Sequence, residues 1–170
     1  MSAVLVDSNV LLDIMTEDAR WFSWSAKALA NAAETSPLLI NPIIYAEVSI
    51  RYSRIEDLND ALPRTLVERE ALPYEAAFLA GKAFLIYRKR SGTRRSPLPD
   101  FFIGAHASIA GYRLLTRDAA RYRTYFPSCS SSRRAEGKPQ LRGWRRPRPF
   151  CPGNFSFQSE SIQIALRLKS

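Results

Sequence analysis

The chain has 170 residues, 46% hydrophobic and 24% charged, which excludes a fully disordered chain, a collagen-like fibre and a disulfide-rich mini-protein. It has no apolar run long enough for a transmembrane helix, no basic stretch before Asp7 that would suit a secretory signal, and only Cys129 and Cys151 as cysteines, so a cytoplasmic protein with no membrane partner is expected. The net charge of +9 is uneven: residues 1–127 carry +2 and residues 128–170 carry +7, so the basic character says little about the partner of the main domain.

Residues 3–7, AVLVD, form an apolar run ending in an acid, as a buried strand would. NVLLDIM then opens a helix with Ser8 or Asn9 near its cap. Residues 18–34 place Trp21, Trp24, Ala28, Leu29 and Ala32 at helical spacing, with Asp18 as the expected N-cap. PLLIN, residues 37–41, is a second strand; Pro42 then starts a helix that runs to about residue 53. Residues 55–71 are ambiguous.

Pro73 opens another helix, ended by Ser91-Gly92, and residues 92–99 form a loop. Asp100 heads a helix rich in small residues, closed by Gly111. RLLT, residues 113–116, is a strand, and RDAARYRTYF begins a short helix. Alternating strands and helices predict a parallel sheet between helical layers.

The pattern stops at Pro127. Residues 128–170 hold both cysteines and four of the eleven prolines, so the expected division is a domain at 1–127 and a poorly packing basic tail at 128–170. Three readings of that tail stand side by side: a nucleic-acid-binding extension, a disordered solvated one, and an out-of-frame replacement of the native terminus.

Four acids stand out by position. Asp7 and Asp118 follow strands, Asp100 starts a helix, and Glu47 lies in the helix after the second strand. Ligands of parallel α/β sheets bind outside the carboxyl ends of the strands, where these positions converge. Carboxylates gathered in one place repel unless a cation joins them, and an oxygen-only set suits Mg²⁺ or Mn²⁺. Ser8, Asn9 and Thr116 are neutral helpers that can hydrogen-bond the acids. Read singly, each acid is a cap or a solvated residue; together they suggest a cation site.

The segments VLVDSNVLLD, INPIIYAEVSIRY and LPDFFIGAHASIAGYRLLTRD, in this order, resemble the PIN-domain ribonucleases, and among them the VapC-type toxins of toxin–antitoxin pairs. The resemblance covers residues 3 to about 126. It implies a three-layer α/β/α fold around a five-stranded parallel sheet, and a catalytic quartet of Asp7, Glu47, Asp100 and Asp118. Asp7, Asp100 and Asp118 would be the metal ligands, and Thr116 and Asn9 match the family's supporting polar residues. It further implies a Mg²⁺- or Mn²⁺-dependent endoribonuclease that leaves a 5′-phosphate, with RNA as substrate, a cognate antitoxin and a homodimeric state. Family members carry a short final strand where this chain has SCSSSRR, so that edge strand is expected to be missing or altered.

Arg88, Lys89, Arg90, Arg94 and Arg95 precede Asp100 and can hold RNA phosphates, or simply complement a helix end. Trp21, Phe22 and Trp24 serve either core packing or an interface. With the Ile43–Tyr52 segment they are the expected dimer or antitoxin surface. His106, six residues after Asp100, is expected to be a packed or surface residue rather than a ligand, and Asp13 to lie at the surface or a helix end.

The competing functions are a PIN-like nucleic-acid-binding module without turnover, inactive through its altered C-terminus, and a haloacid-dehalogenase-type phosphatase. The latter needs a second acid two residues after the first, where this chain has Asn9.

Overall fold

The computed structural model describes residues 2–90, 92–127 and the backbone of 131–132. The elements in chain order are β1 (Val4–Val6), α1 (Ser8–Met15), α2 (Phe22–Thr35), β2 (Leu38–Ile40), α3 (Pro42–Ser49) and α4 (Ile55–Ala61). There follow β3 (Glu68–Arg69), α5 (Tyr74–Lys89), α6 (Pro99–Ala110), β4 (Arg113–Leu115), α7 (Ala119–Tyr125) and β5 (Ser131–Ser132).

The strands form one parallel sheet of five in the order β3-β2-β1-β4-β5. The chain steps outward from β1 to β2 to β3, then returns across the sheet to β4 and β5. With right-handed crossovers, α1 to α4 fall on one face and α5 to α7 on the other, which gives the three layers. Residues of β1 and β2 are buried throughout, as strands covered on both sides must be. The core runs from Val4, Leu5 and Val6 through Leu11, Ile14 and Leu29 to Ile103, Leu114 and Leu115.

The N-cap of α1 is Asp7, with Ser8 and Asn9 next to it in the first turn, as expected. Other sequence expectations need correction. Helix α2 starts at Phe22, because Asp18 organises the turn before it: its Oδ1 accepts from the amides of Arg20 and Trp21, both at 2.9 Å. Helix α3 ends at Ser49 rather than near 53. The ambiguous stretch resolves into α4 and the edge strand β3.

The final edge strand is present as Ser131–Ser132, pairing with Leu114 and Leu115 of β4. The sheet thus reaches beyond the expected boundary at 127. The rest of the expected tail, 133–170, lies outside the described residues.

Asn41 ties the second crossover together. It is 1% exposed, and its Oδ1 accepts from the amides of Ile43 and Ile44, each at 3.0 Å. That fixes its Nδ2 as the donor to Nδ1 of the fully buried His106, at 3.2 Å. The His106 proton therefore sits on Nε2, and burial holds its pKa below the ordinary range. His106 is a packed residue, as expected. Asn41→Ala removes the cap and leaves Nδ1 without its donor. The expected loss is about 2 kcal/mol or more in urea unfolding, with Asn41→Asp losing less because it keeps the cap.

Candidate functional site

Beside β1 the strand order reverses direction: β2 was laid down on one side and β4 on the other. Such a switch point opens a crevice at the carboxyl end of the sheet. Asp7 leaves β1 there, and its amide donates to the carbonyl of Leu115 at 2.9 Å, continuing the β1–β4 ladder. The carboxylate of Asp7 is thereby set beside the turn Thr116–Asp118.

Asp7 is 2% exposed. Its Oδ2 accepts from Asn9 Nδ2 at 2.6 Å, from the Thr116 hydroxyl at 2.7 Å and from the Tyr122 hydroxyl at 3.1 Å. The Ser8 hydroxyl lies 2.7 Å from Glu47 Oε2 and 3.4 Å from Asp7 Oδ1, so its single proton serves Glu47. Thr116 Oγ1 also accepts from the Asp118 amide at 3.0 Å, which shapes the turn that presents Asp118. Asp100, in the first turn of α6, pairs with Arg121 Nη2 of α7 at 2.7 Å. Asp118 is exposed at the N-cap position of α7.

The electrostatics join these residues into one cluster. Burial pushes the Asp7 carboxyl up to about 6, against the Thr116 and Tyr122 hydrogen bonds, and the charges of Asp100 and Glu47 add to the rise. Glu47 is raised by burial and by Asp100, with Ser8 and Arg121 opposing. Asp100 is raised by burial and by Asp118, with Arg121 opposing. Charge coupling thus links Asp7 to Glu47 and Asp100, Glu47 to Asp100, and Asp100 to the exposed Asp118.

Among the described residues, no three acidic, imidazole or thiolate groups close on a single point as a finished metal cage. The donor chemistry nevertheless fits a hard divalent cation. The donors are oxygens only, and their ionised forms are disfavoured by mutual repulsion that a cation would relieve. On the sequence expectation, Asp7, Asp100 and Asp118 would be the ligands of such an ion, with Glu47 adjoining. Ser8, Asn9 and Thr116 orient the inner carboxylates.

The basic residues sit farther out. Arg88, Lys89 and Arg90 are exposed at the end of α5, and Arg94 and Arg95 are exposed in the loop leading to Asp100. Arg88 Nη1 donates to the Arg94 carbonyl at 2.8 Å, holding that loop against the helix end. A separate cleft of about 310 Å³, lined by Ile40, Asn41, Tyr45 and Arg69 among others, includes none of the four acids.

Sequence reasoning missed three contributors. Tyr122 is 2% exposed and reaches Asp7 from α7. Its signal was the four-residue spacing from Asp118, which puts both on one helix face. Arg121, three residues after Asp118, was legible the same way. Asp13, expected at the surface or a helix end, lies in the last turn of α1 and is 4% exposed. It accepts from Ser25 Oγ at 2.8 Å and pairs with Arg117. The Arg117 guanidinium also lies 5.5 Å from the centre of the Trp21 ring, and its amide donates to Asn9 Oδ1 at 3.3 Å. The first helical hairpin is thus braced against the turn that carries Thr116 and Asp118. Trp21, Phe22 and Trp24 are all half-buried, Phe22 and Trp24 against the core.

This is an acid-lined crevice at the switch point of a five-stranded α/β/α sheet, and the sequence carries the matching family signature. The chain belongs to the PIN domain family, whose profile covers residues 4–127. Its fold is shared with VapBC-1 of nontypeable Haemophilus influenzae, at TM-score 0.57 and 16% identity over 77% of this chain and 97% of that one. It is shared equally with VapBC2 of Rickettsia felis bound to a DNA fragment from its promoter, at TM-score 0.56 and 14% identity over 77% and 98%. DNA-bound VapBC of Salmonella typhimurium matches at TM-score 0.54 and 15% identity over 78% and 98%. No curated protein sequence matches the chain. None of the helices among the described residues is long and apolar enough to cross a membrane.

Proposed function

We propose that the chain is a Mg²⁺- or Mn²⁺-dependent endoribonuclease, the toxin of a toxin–antitoxin pair that acts in the cytoplasm. The observation that carries this reading is the coupling of Asp7, Glu47, Asp100 and Asp118 in the switch-point crevice of a PIN domain.

In this reading the bound cation supplies charge neutralisation at the phosphodiester and lowers the pKa of attacking water. The chain's own residues do the rest. Asn9, Thr116 and Tyr122 hold one oxygen of Asp7, so its carboxylate keeps a fixed direction. Ser8 orients Glu47, whose carboxyl pKa is raised by burial above its ordinary range, making it a stronger proton acceptor. Arg88, Lys89, Arg90, Arg94 and Arg95 attract the RNA backbone. Their contribution is salt-dependent and indifferent to sequence. The likeness to the VapBC structures supports an antitoxin partner; a second copy of the chain is part of the same proposal, and the α2 and α3 surfaces are where these would bind.

The test is incubation of the full chain with end-labelled single-stranded and hairpin RNAs. Cleavage with Mn²⁺ or Mg²⁺, yielding 5′-phosphate ends and lost in excess chelator, is the expected result. Cleavage that survives the chelator overturns the metal-dependent reading. RNA binding without any cleavage favours the module without turnover.

A further inference from the structure

Arg121 is the one basic side chain that is ion-paired with a member of the acidic quartet among the described residues. Its Nη2 lies 2.7 Å from Asp100 Oδ2. The other arginine of that turn, Arg117, points away and is engaged by Asp13. Arg121 stands on α7 three residues after Asp118, on the helix that also delivers Tyr122 to Asp7. Its field also favours the ionised form of Glu47, so it acts on more than its direct partner. The side chain is 46% exposed, long and flexible, and can leave Asp100 for solvent at small cost.

We propose that Arg121 is a built-in counter-ion that competes with the divalent cation for Asp100, so that cation binding requires its displacement. This rests on the metal-dependent reading above and deepens it: Arg121 sets how much free cation the protein needs. A guanidinium on Asp100 satisfies the pocket when no metal is bound. It also withholds an oxygen donor that the ion needs. Without that competitor the acids repel more strongly in the metal-free chain and attract a cation more strongly.

The probe is Mn²⁺ alone, titrated into the full chain by calorimetry, with thermal unfolding measured in parallel with and without Mn²⁺. Arg121→Ala is expected to bind Mn²⁺ about tenfold more tightly, the scale of one charge-assisted pair. Its metal-free form is expected to melt lower than the parent, and its Mn²⁺-induced rise in melting temperature to be larger. Arg121→Lys keeps the charge and is expected to stay near the parent in both readouts. Arg121→Gln serves as a second neutral variant if the alanine chain fails to fold. Equal or weaker Mn²⁺ binding by a folded neutral variant overturns the proposal while leaving the metal site standing. Failure of parent and variants alike to bind Mn²⁺ overturns the metal-dependent reading and the proposal with it.

Discussion

Asp7→Asn is expected to abolish RNA cleavage, by about a thousandfold or more, the scale of losing a group aimed at developing charge in a transition state. The amide keeps the shape and can still accept from Thr116 and Tyr122 through its oxygen, but it brings no charge to a cation. The same substitution is expected to stabilise the metal-free chain at alkaline pH. Burial raises the Asp7 carboxyl from an ordinary 3.8 to about 6, so the folded state holds its proton more tightly than the unfolded state does. Stability is then lost as pH rises from about 4 through 6, by roughly 3 kcal/mol in all. Asparagine has no proton to lose. Metal-free melting temperatures of parent and variant should therefore converge near pH 4 and separate in the variant's favour at pH 8. A variant that melts below the parent at pH 8 would show that Asp7 stabilises the fold through contacts its charge alone can make.

The second large effect is expected at Gly104. This residue is buried in α6 where α7 crosses it. A Cβ there would lie 2.5 Å from Phe126 Cδ2 and 2.9 Å from Tyr122 Cδ1. Both rings are nearly inaccessible, at 3% and 2% exposure, so neither can swing aside. Alanine would gain helix propensity of about 1 kcal/mol over glycine, yet overpacking of a closed core costs about 1–3 kcal/mol and grows with side-chain size. Gly104→Val is therefore expected to lose about 3 kcal/mol or more, a drop of roughly 6–12 °C in a chain of this size. Because the displaced Tyr122 ring carries the hydroxyl on Asp7, cleavage should fall along with stability. A Gly104→Val chain that melts with the parent would mean that α7 yields at this contact without cost.

What was legible in the sequence follows from where the information is local. VLV and LLI stood out because strands covered on both faces must be apolar without alternation. Asp7, Asp100 and Asp118 stood out because each lies where a strand or loop becomes a helix, and Glu47 because it follows within the helix after the second strand. Strand β3 did not, since its two residues, Glu68 and Arg69, are polar. It is a strand only because the backbone of β2 offers unpaired groups alongside. The helix-end position of Asp13 was legible, but its burial was not, for a similar reason. Helical periodicity places it on α1, but its burial depends on Arg117, 104 positions away. Tyr122 is a core aromatic whose hydroxyl ends on Asp7, a contact that depends on packing between α6 and α7. His106 was read correctly because its distance along α6 from Asp100 excluded it from the acid face.

The link among Asp13, Trp21 and Arg117 has an evolutionary side. Asp13 and Trp21 belong to the α1–α2 hairpin, whereas Arg117 stands between Thr116 and Asp118. Drift on the hairpin is therefore not free of consequence for the crevice. A lineage that replaces Trp21 or Asp13 leaves a charged side chain without its seat, right beside Thr116 and Asp118. Substitutions at Asp13 or Trp21 are therefore expected to be non-additive with substitutions at Arg117, because the three share contacts.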